Sequence, residues 1–337
     1  MSDKVLVIGG GSWGTALARL LCNKGIDTTI YIRDKMQYHS MTENRVNEKY
    51  LPVIMLPMSL KYTNDLELGI RGRSNIVFAV PTYNFRKVLE SVAPHINKDN
   101  VIINVAKGIE NESLERLSEI SYDLAPKVAF VTLSGPSHAE EVALDYPTTV
   151  TVASDNVLAA KSTQELFSTK SFRVYTNPDL IGVELGGALK NVIALGSGIA
   201  DGLGYGDNTK AALMTRGITE MAKLGVKMGA KTETFFGMAG IGDLIVTCTS
   251  MHSRNRRAGI LIGKGKTAQE ATEEVGMVVE GIKTTKSAYE LKMRNNVEMP
   301  ITDMLYRVIY EGEKVNNIID DLMTRRSKDE TEGLIFG

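Results

Sequence analysis

The chain has 337 residues, of which 43% are hydrophobic, and a formal net charge of −1 at pH 7. This length predicts about two domains with sizeable cores, and the near-zero charge argues against nucleic acid as a partner. Two distant cysteines exclude a disulfide framework, and the absence of a signal-peptide layout or of an apolar run near the roughly 20 residues of a membrane span predicts a cytoplasmic protein with no stable membrane anchor.

In the first half of the chain, short apolar runs rich in β-branched residues alternate with helix-compatible segments. We predict strands at 5–8, 28–32, 75–80, 101–105 and 128–133, and helices at 13–22, 85–92 and 114–124. Continuous apolar strands that alternate with helices are typical of a parallel sheet covered on both faces. Two further β-like runs, 148–153 and 172–175, extend the sheet, with the direction of their pairing left open.

After Pro178 the pattern changes, because β-branched runs become scarce and long stretches with helical spacing take over. These stretches lie at 181–199, 210–228 and 282–293. We therefore predict an α/β, Rossmann-like, doubly wound parallel sheet over residues 1–180, followed by an all-α C-terminal domain over residues 181–337.

The first strand leads into Gly9-x-Gly11-x-x-Gly14, and a helix follows. In a dinucleotide-binding loop the first glycine permits the tight turn, the second lets the pyrophosphate approach the backbone, and the third lets helix and strand pack closely. A plain glycine turn without a ligand is the alternative. The strand before the loop and the helix after it favour the dinucleotide site.

The second strand ends at Arg33 and Asp34, two residues that point to different cofactors. An acid about 20 residues after the glycines usually holds the ribose 2′-hydroxyl of NAD, whereas a nearby arginine accepts the 2′-phosphate of NADP. Asp34 lies 20 residues after Gly14. The adjacent guanidinium favours NADP(H) or use of both cofactors.

Two lysines are candidates for the reacting centre. Lys107 follows a predicted strand, at the edge of the sheet where ligands of open α/β folds bind. Lys190 lies in an apolar, small-residue helix beside Gly186 and Gly187, and such surroundings can lower the pKa of a lysine until it serves as acid or base. A surface lysine and a lysine that extends to water are the corresponding alternatives.

Further along, Asp243 is a carboxylate in a glycine-rich turn, which could orient an ammonium or a substrate hydroxyl. The run from Ser253 through Arg254 and Asn255 combines hydroxyl, guanidinium and amide donors, which suits a phosphate dianion, although a solvated helix start would look similar. Four histidines show no metal-ligand spacing with one another or with the cysteines, so we expect no metal.

Taken together, several segments resemble the bacterial NAD(P)-dependent sn-glycerol-3-phosphate dehydrogenases. They occur in the family's order from about residue 5 to about residue 310, and they include GGGSWGTALA, VPTYNFR, VAKGIE, LSGPSHAEEV, KSFRVYTNPDLIGVELGGALKNVIALGSGIADGLGYGDN, TRGITEM, FFGMAGIGDLIVTCTS, SRNRR, GMVVEG and EMPIT. The resemblance implies reversible reduction of dihydroxyacetone phosphate to sn-glycerol 3-phosphate with NADP(H) or NAD(H), which supplies glycerophospholipid synthesis.

The resemblance also implies domain and residue roles, with residues 1–180 binding NAD(P) and residues 181–337 carrying substrate binding and catalysis. Lys190 would be the proton donor and acceptor, with Lys107 and Asp243 beside it. Cofactor contacts would come from the glycine loop and from Ser12, Trp13, Arg33, Tyr50, Lys107, Ala139, Arg254, Val278 and Glu280. Substrate contacts would come from Lys107, Gly135, Ser137, Lys190, Asp243, Ser253, Arg254 and Asn255. Asp34 departs from forms in which a second basic residue follows the arginine, which argues against a strict preference for NADP.

Two other functions are compatible with parts of this pattern. A β-hydroxyacid dehydrogenase can share the nucleotide domain, the helical domain and a helix lysine, but it would need no SRNRR run. A catalytically silent NAD(P)-sensing module would not require Lys107, Lys190 and Asp243 together. The small-molecule substrate is the expected partner, and a homodimer is compatible with the resemblance.

Overall fold

The computed structural model describes residues 4–315 together with residues 324 and 326. This part of the chain forms two compact units. The sheet unit comprises residues 4–106 and 115–180, and the helical unit comprises residues 107–114 and 181–315. The short segment 107–114, which the sequence analysis assigns to the first domain, therefore packs with the helical unit.

An eight-stranded sheet forms the centre of the sheet unit, in the order β10-β9-β8-β7-β6-β1-β2-β5. The strands are β1 (Lys4–Ile8), β2 (Asp27–Tyr31), β3 (Val46–Asn47), β4 (Leu51–Met55), β5 (Lys61–Thr63), β6 (Asn75–Phe78), β7 (Val101–Asn104), β8 (Ala129–Ser134), β9 (Thr148–Ala153) and β10 (Phe172–Asn177). From β1 the chain adds strands first on one side and then on the other, so right-handed crossovers place helices on both faces. The predicted doubly wound α/β fold is confirmed.

Only one pairing in this sheet is antiparallel, namely that of β8 with β9, whereas β9 and β10 run parallel to each other. This settles the direction that the sequence left open. Strands β3 and β4 form a separate antiparallel hairpin, which was not predicted. Their short runs mix exposed and buried positions without strict alternation, so the sequence carries little strand signal there.

The helices of the sheet unit are α1 (Ser12–Asn23), α2 (Lys35–Asn44), α3 (Leu66–Ile70), α4 (Phe85–Val92), α5 (Leu117–Leu124), α6 (Ala139–Ala143) and α7 (Val157–Phe167). Helix α5 begins three residues later than predicted. Leu114 has a φ of 64°, in the left-handed region that a right-handed helix cannot include, and the N-cap Arg116 is still extended. Helix α2 was not predicted, since Met41 is its only buried residue and it has almost no apolar face.

The helices of the helical unit are α8 (Leu180–Gly202), α9 (Asp207–Lys227), α10 (Thr232–Phe235), α11 (Asp243–Thr249), α12 (Arg254–Gly263), α13 (Ala268–Val275), α14 (Glu280–Arg294) and α15 (Pro300–Tyr310). Helices α8 and α12 touch backbone to backbone. A Cβ on Gly198 would lie 2.1 Å from the Arg256 carbonyl oxygen, and one on Gly259 would lie 2.2 Å from the Leu195 carbonyl oxygen. Small residues therefore let the two helices approach far more closely than usual.

Helix α8 also corrects one expectation from the sequence. It has 23 residues and is apolar enough to cross a membrane by length and composition, and the bent pair Thr232–Thr249 and Arg254–Gly263 passes the same test. In α8, however, 94% of the apolar window is buried inside the protein. The apolar character of α8 is thus that of a helix at the centre of a core.

Candidate active site

The glycine loop between β1 and α1 has the geometry that its pattern predicts. Gly9 has a φ of 125°, and a Cβ there would lie 2.4 Å from the carbonyl oxygen of Ala79. A Cβ on Gly14 would lie 2.1 Å from the Gly9 carbonyl oxygen, whereas one on Gly11 would meet no atom of the described residues within 4 Å. Protein packing thus explains the first and third glycines, while the open space at Gly11 fits a dinucleotide pyrophosphate.

Helix α1 begins directly after this loop, with Ser12 and Trp13 in its first turn. The first N–H groups of a helix have no partner within the helix, and the helix dipole adds partial positive charge at the same end. Both features suit an anion such as a pyrophosphate. The Trp13 ring packs, partly buried, against the core of the sheet unit, which fixes this first turn.

At the end of β2, Arg33 and Asp34 differ in how the protein uses them. Asp34 is the N-cap of α2, where its Oδ1 accepts a hydrogen bond from the backbone N–H of Gln37 at 2.9 Å. The Arg33 side chain is exposed. The carboxylate therefore has a structural task, independent of any cofactor, that the sequence reasoning did not consider.

Four more residues that the resemblance assigns to ligands lie in the sheet unit. Gly135 has a φ of 140°, and a Cβ there would lie 2.9 Å from Cα of Val150, so the position requires glycine. Ser137 Oγ donates a hydrogen bond to the Gly135 carbonyl oxygen at 2.9 Å. Ala139 is buried at the start of α6. Tyr50 is half-buried in the β3–β4 hairpin.

Two lysines and one carboxylate meet inside the helical unit. Lys190 Nζ donates to Asp243 Oδ1 at 2.6 Å and to Thr247 Oγ1 at 2.7 Å. Lys107 Nζ donates to the other carboxylate oxygen, Asp243 Oδ2, at 2.7 Å. Asp243 is 1% exposed and Lys190 is 5% exposed, so the three charged groups form a nearly dry cluster with a net positive charge.

Burial decides the protonation of the cluster. Desolvation lowers the pKa of Lys190 to about 8, even though Asp243 works in the opposite direction; Lys107, a like charge, lowers it further. Burial of Asp243 opposes ionisation, but the nearby ammoniums of Lys107 and Lys190 outweigh it, so the pKa of the carboxyl is lowered. Lys190 can therefore gain and lose a proton near neutral pH while Asp243 stays charged.

Local backbone geometry brings these side chains together. A five-residue π-helical segment, Met238–Gly242, precedes α11 and approaches α8 so closely that a Cβ on Gly186 would lie 2.6 Å from the Ala239 carbonyl oxygen. This contact explains a glycine that costs α8 about 1 kcal/mol relative to alanine. Asp243 begins α11, where the helix dipole favours a negative charge.

A chain of side-chain amides surrounds the same cluster. Asn191 Nδ2 donates to the Lys107 carbonyl oxygen at 3.3 Å, and Asn255 Nδ2 donates to Asn191 Oδ1 at 2.8 Å. The backbone N–H of Gly281 then donates to Asn255 Oδ1 at 2.8 Å. These hydrogen bonds connect segment 107–114 with α8, α12 and the beginning of α14. Helix α14 begins at Glu280, two residues after Val278. Among the described residues, the second amide hydrogen of Asn255 has no acceptor.

The arginines of the SRNRR run have different environments. Arg256 is engaged within the protein, because its Nε donates to Asp201 Oδ2 at 2.7 Å and its Nη1 donates to the Thr249 carbonyl oxygen at 2.9 Å. Ser253 caps α12 by accepting from the Arg256 N–H at 3.2 Å. Arg254 is half-buried at the first position of α12. The run therefore serves partly to anchor the helix that carries Arg254 and Asn255.

Sequence reasoning singled out Lys107, Lys190 and Asp243, and the structure brings all three together. It missed Thr247 and Asn191. Thr247 lies four residues after Asp243 on α11, so helical spacing places both on one face, and its Oγ1 donates to the Asp243 carbonyl oxygen at 2.6 Å. Polar residues one helical turn from a candidate charge were the signal that could have identified it.

Both halves of the chain match known families. Residues 4–160 match the N-terminal family of NAD-dependent glycerol-3-phosphate dehydrogenase, and residues 179–320 match the C-terminal family. A glycerol-3-phosphate dehydrogenase [NAD(P)+] of Clostridium perfringens is 53% identical, over 97% of this chain and 99% of the relative. That of Clostridium tetani is 54% identical, over 97% and 93%.

A solved structure supports the same comparison. The crystal structure of a glycerol-3-phosphate dehydrogenase from Coxiella burnetii superposes with a TM-score of 0.93 and 37% sequence identity, covering 96% of this chain and 99% of the other. The similarity therefore extends over both units and over nearly the whole length of each relative.

Proposed function

The chain belongs to the family of NAD-dependent glycerol-3-phosphate dehydrogenases, and we propose that Lys190 is the general acid of its reaction. The protein is an NAD(P)-dependent oxidoreductase, and relatives at 50% identity and above favour glycerol 3-phosphate over a β-hydroxyacid as its substrate. In the direction of synthesis, dihydroxyacetone phosphate is reduced to sn-glycerol 3-phosphate.

The observation that carries this proposal is the environment of the Lys190 ammonium. It is buried, it donates to Asp243 and Thr247, and its pKa is lowered to about 8 mainly by desolvation. A general acid is most effective when its pKa lies near the working pH.

The chemical steps can be followed on the protein's own groups. Bound nicotinamide supplies the hydride that reaches C2 of the ketone. Negative charge then develops on the carbonyl oxygen, and the ammonium of Lys190 stabilises this charge and delivers its proton to the oxygen. Lys107 adds positive potential, while Asp243 holds both ammoniums in place through separate carboxylate oxygens. In the oxidation of the alcohol, neutral Lys190 accepts the proton.

The substrate phosphate needs donors that are close to this cluster in the same unit. Arg254 and the remaining amide hydrogen of Asn255 lie at the start of α12, together with Ser253. A guanidinium binds phosphate oxygens in pairs, so it can fix the position of C2 as well as add affinity. We assign Gly135 and Ser137 to the substrate as well.

Cofactor binding is assigned to the glycine loop and to its surroundings. Gly9, Gly11 and Gly14, with Ser12 and Trp13 in the first turn of α1, would hold the pyrophosphate. The remaining contacts, by similarity to the family, come from Arg33, Tyr50, Lys107, Ala139, Arg254, Val278 and Glu280. We further assign residues 1–180 to the cofactor and 181–337 to substrate and catalysis, with segment 107–114 joining the latter in the structure.

In the cell, we propose that the enzyme supplies glycerol 3-phosphate for glycerophospholipid synthesis. We place it in the cytoplasm, without a stable membrane anchor or a nucleic-acid partner, and as a homodimer. The near-neutral net charge of −1 supports the absence of a nucleic-acid partner.

The test is steady-state oxidation of NADPH and NADH with dihydroxyacetone phosphate, compared with β-ketoacids. We expect turnover with dihydroxyacetone phosphate alone.

Arg254→Ala should raise the KM for this substrate about 100-fold, in line with the loss of a charge-assisted contact. Arg294→Ala, which removes an exposed arginine from the same unit, is the matched control and should leave KM unchanged. Equal KM values for the two variants would refute the phosphate assignment.

A further inference from the structure

The carbonyl of Gly10, inside the glycine loop, is held by two side chains to which the mechanism assigns no role. Gln37 Nε2 donates a hydrogen bond to this carbonyl oxygen at 2.5 Å, and Asn47 Nδ2 donates to it at 2.9 Å. Gln37 lies in the first turn of α2, and Asn47 lies in β3 and is fully buried. We call Gln37 and Asn47 the amide pair.

The amide pair is held in position by further contacts within the sheet unit. The second Asn47 Nδ2 hydrogen goes to Thr15 Oγ1 at 2.7 Å, and Asn47 Oδ1 accepts from Gln37 Nε2 at 3.2 Å. The backbone N–H of Gln37 is bonded to Asp34. Only one orientation of each amide satisfies these contacts, because both groups must present N–H to a carbonyl oxygen. The pair is thus a connected, satisfied network.

Two donors on one carbonyl oxygen have a geometric consequence. A carbonyl oxygen has two lone pairs, and the amide pair occupies both. Because the peptide bond is planar and trans, the N–H of Gly11 points in the direction opposite to the carbonyl of Gly10. A fixed Gly10 oxygen therefore fixes the direction of the Gly11 N–H, at the glycine where open space adjoins the loop.

We propose that Gln37 and Asn47 are positioning residues, which orient the Gly10–Gly11 peptide so that its N–H faces the cofactor pyrophosphate. This inference rests on the cofactor assignment above. It also explains Gly10, which the GxGxxG pattern leaves unspecified. A Cβ on Gly10 would lie 3.2 Å from Gln37 Nε2 and 3.2 Å from Ile32 Cγ1, so a larger residue would press against the amide that reaches the carbonyl.

The backbone of the amide pair also contacts the segments that carry Tyr50 and Arg33, two further residues assigned to the cofactor. The Tyr50 backbone N–H donates to the Asn47 carbonyl oxygen at 3.1 Å, which closes the turn that carries Tyr50. Asp34 follows Arg33 and holds the start of α2 through Gln37. Backbone groups of Gln37 and Asn47 thus contact these segments, whereas their side-chain amides bond to the glycine loop.

The experiment separates alignment of the pyrophosphate from general loosening of the fold. Dissociation constants from the cofactor-free protein are measured by calorimetry for ADP-ribose, which carries the pyrophosphate, and for adenosine, which does not. In Asn47→Ala we expect about a 10-fold rise in the KM for NADH and in the dissociation constant of ADP-ribose, from the weakening of one bond to a charged group. The adenosine constant and kcat at saturating NADH should stay within about twofold.

Two further variants make the result decisive. Asn75→Ala removes another buried asparagine, at the opposite end of β6 from the loop, and should leave all constants unchanged. Gln37→Met keeps the shape of a half-buried side chain without the amide, and should show a smaller rise than Asn47→Ala, which also provides a test if Asn47→Ala does not fold. An unchanged ADP-ribose constant in both loop variants, or a parallel rise for adenosine, would overturn the proposal. Failure of ADP-ribose to bind the wild-type protein would instead overturn the cofactor assignment.

Discussion

The two units build their sites from different materials. In the sheet unit, the glycine loop works through backbone shape: Gly9 and Gly14 permit close approaches, and Gly11 leaves space. In the helical unit, the site is a buried group of charges, Lys107, Lys190 and Asp243, that side chains from separate elements hold together. One site depends on local conformation, and the other depends on tertiary contacts.

This difference determines how each site can fail. A backbone site tolerates most side-chain changes and loses affinity gradually, since several N–H groups share the ligand. A buried charge cluster is sensitive to each member, because removing one partner leaves the others unpaired in a medium of low polarity. Substitutions in the helical unit should therefore have the largest effects.

Lys190→Ala should show the largest effect of all. We expect kcat to fall about 1,000-fold, the range of general acid catalysis, while NADPH binding, measured by fluorescence, stays within about twofold because the glycine loop lies in the other unit. Lys292→Ala is the matched control, since Lys292 is also buried and ion-paired, with Asp303, at 2.6 Å. A Lys190 variant that turns over at a rate near that of wild type would remove this lysine from catalysis.

Asp243→Asn should follow, and its signature is a pH profile. The wild-type rate of ketone reduction should fall as pH rises through about 8, because Lys190 loses the proton that it must donate. Asp243 favours the charged form of Lys190, so the variant should lower this pKa and move the fall to lower pH, with kcat at pH 8 reduced about 100-fold. A profile that does not move would show that Asp243 has no electrostatic effect on Lys190.

The site of the sheet unit can be predicted from a local sequence pattern, whereas the contacts within the site of the helical unit cannot. The strand, Gly9-x-Gly11-x-x-Gly14 and helix are local, so their pattern predicts both the parallel sheet and the loop. The pairing of Lys107 with Asp243 joins residues 136 positions apart and has no local signature. The antiparallel pairing of β8 with β9 could not be predicted either, because an apolar run does not encode the direction in which the neighbouring strand runs.

The start of helix α15 shows the same limit of prediction from sequence, here for a residue that stabilises the fold. Helix α15 has no side-chain cap of its own, and Glu220 from α9 supplies it by accepting from the N–H groups of Ile301 at 2.6 Å and Thr302 at 3.2 Å. A cap that is 81 residues away cannot be identified from the residues at the start of the helix. Nothing in the pattern around Glu220 distinguishes it from other glutamates on helices.

Glu220 yields a prediction for stability. Burial raises the pKa of its carboxyl to about 7, outweighing the helix N–H donors, from an ordinary value of 4.5. Between these values the folded state keeps a proton that the unfolded state has lost. The free energy of unfolding should therefore decrease as pH rises from 4.5 through 7, by up to about 3 kcal/mol.

Chemical denaturation at pH 5 and at pH 8 measures this change. In Glu220→Gln the side chain does not titrate, so that part of the pH dependence should disappear. Glu273→Gln, an exposed glutamate on α13, is the control and should behave as wild type does. If Glu220→Gln keeps the full wild-type decrease, another group is responsible.

Arg33→Ala should show the smallest effect, and it tests the site of the sheet unit. Arg33 is exposed at the end of β2, so we expect about a 10-fold rise in the KM for NADPH, from the loss of contacts to the 2′-phosphate, and a change of less than about twofold for NADH. Asp34→Ala separates the two cofactor interpretations, because loss of the α2 cap, which also holds the Gln37 backbone, costs about 1 kcal/mol of stability and should affect the KM for NADPH and the KM for NADH equally. A rise in the KM for NADH only would show that Asp34 binds the cofactor ribose in addition to capping α2. Equal rises for NADPH and NADH in Arg33→Ala would mean that this guanidinium contacts a part of the cofactor that is common to both.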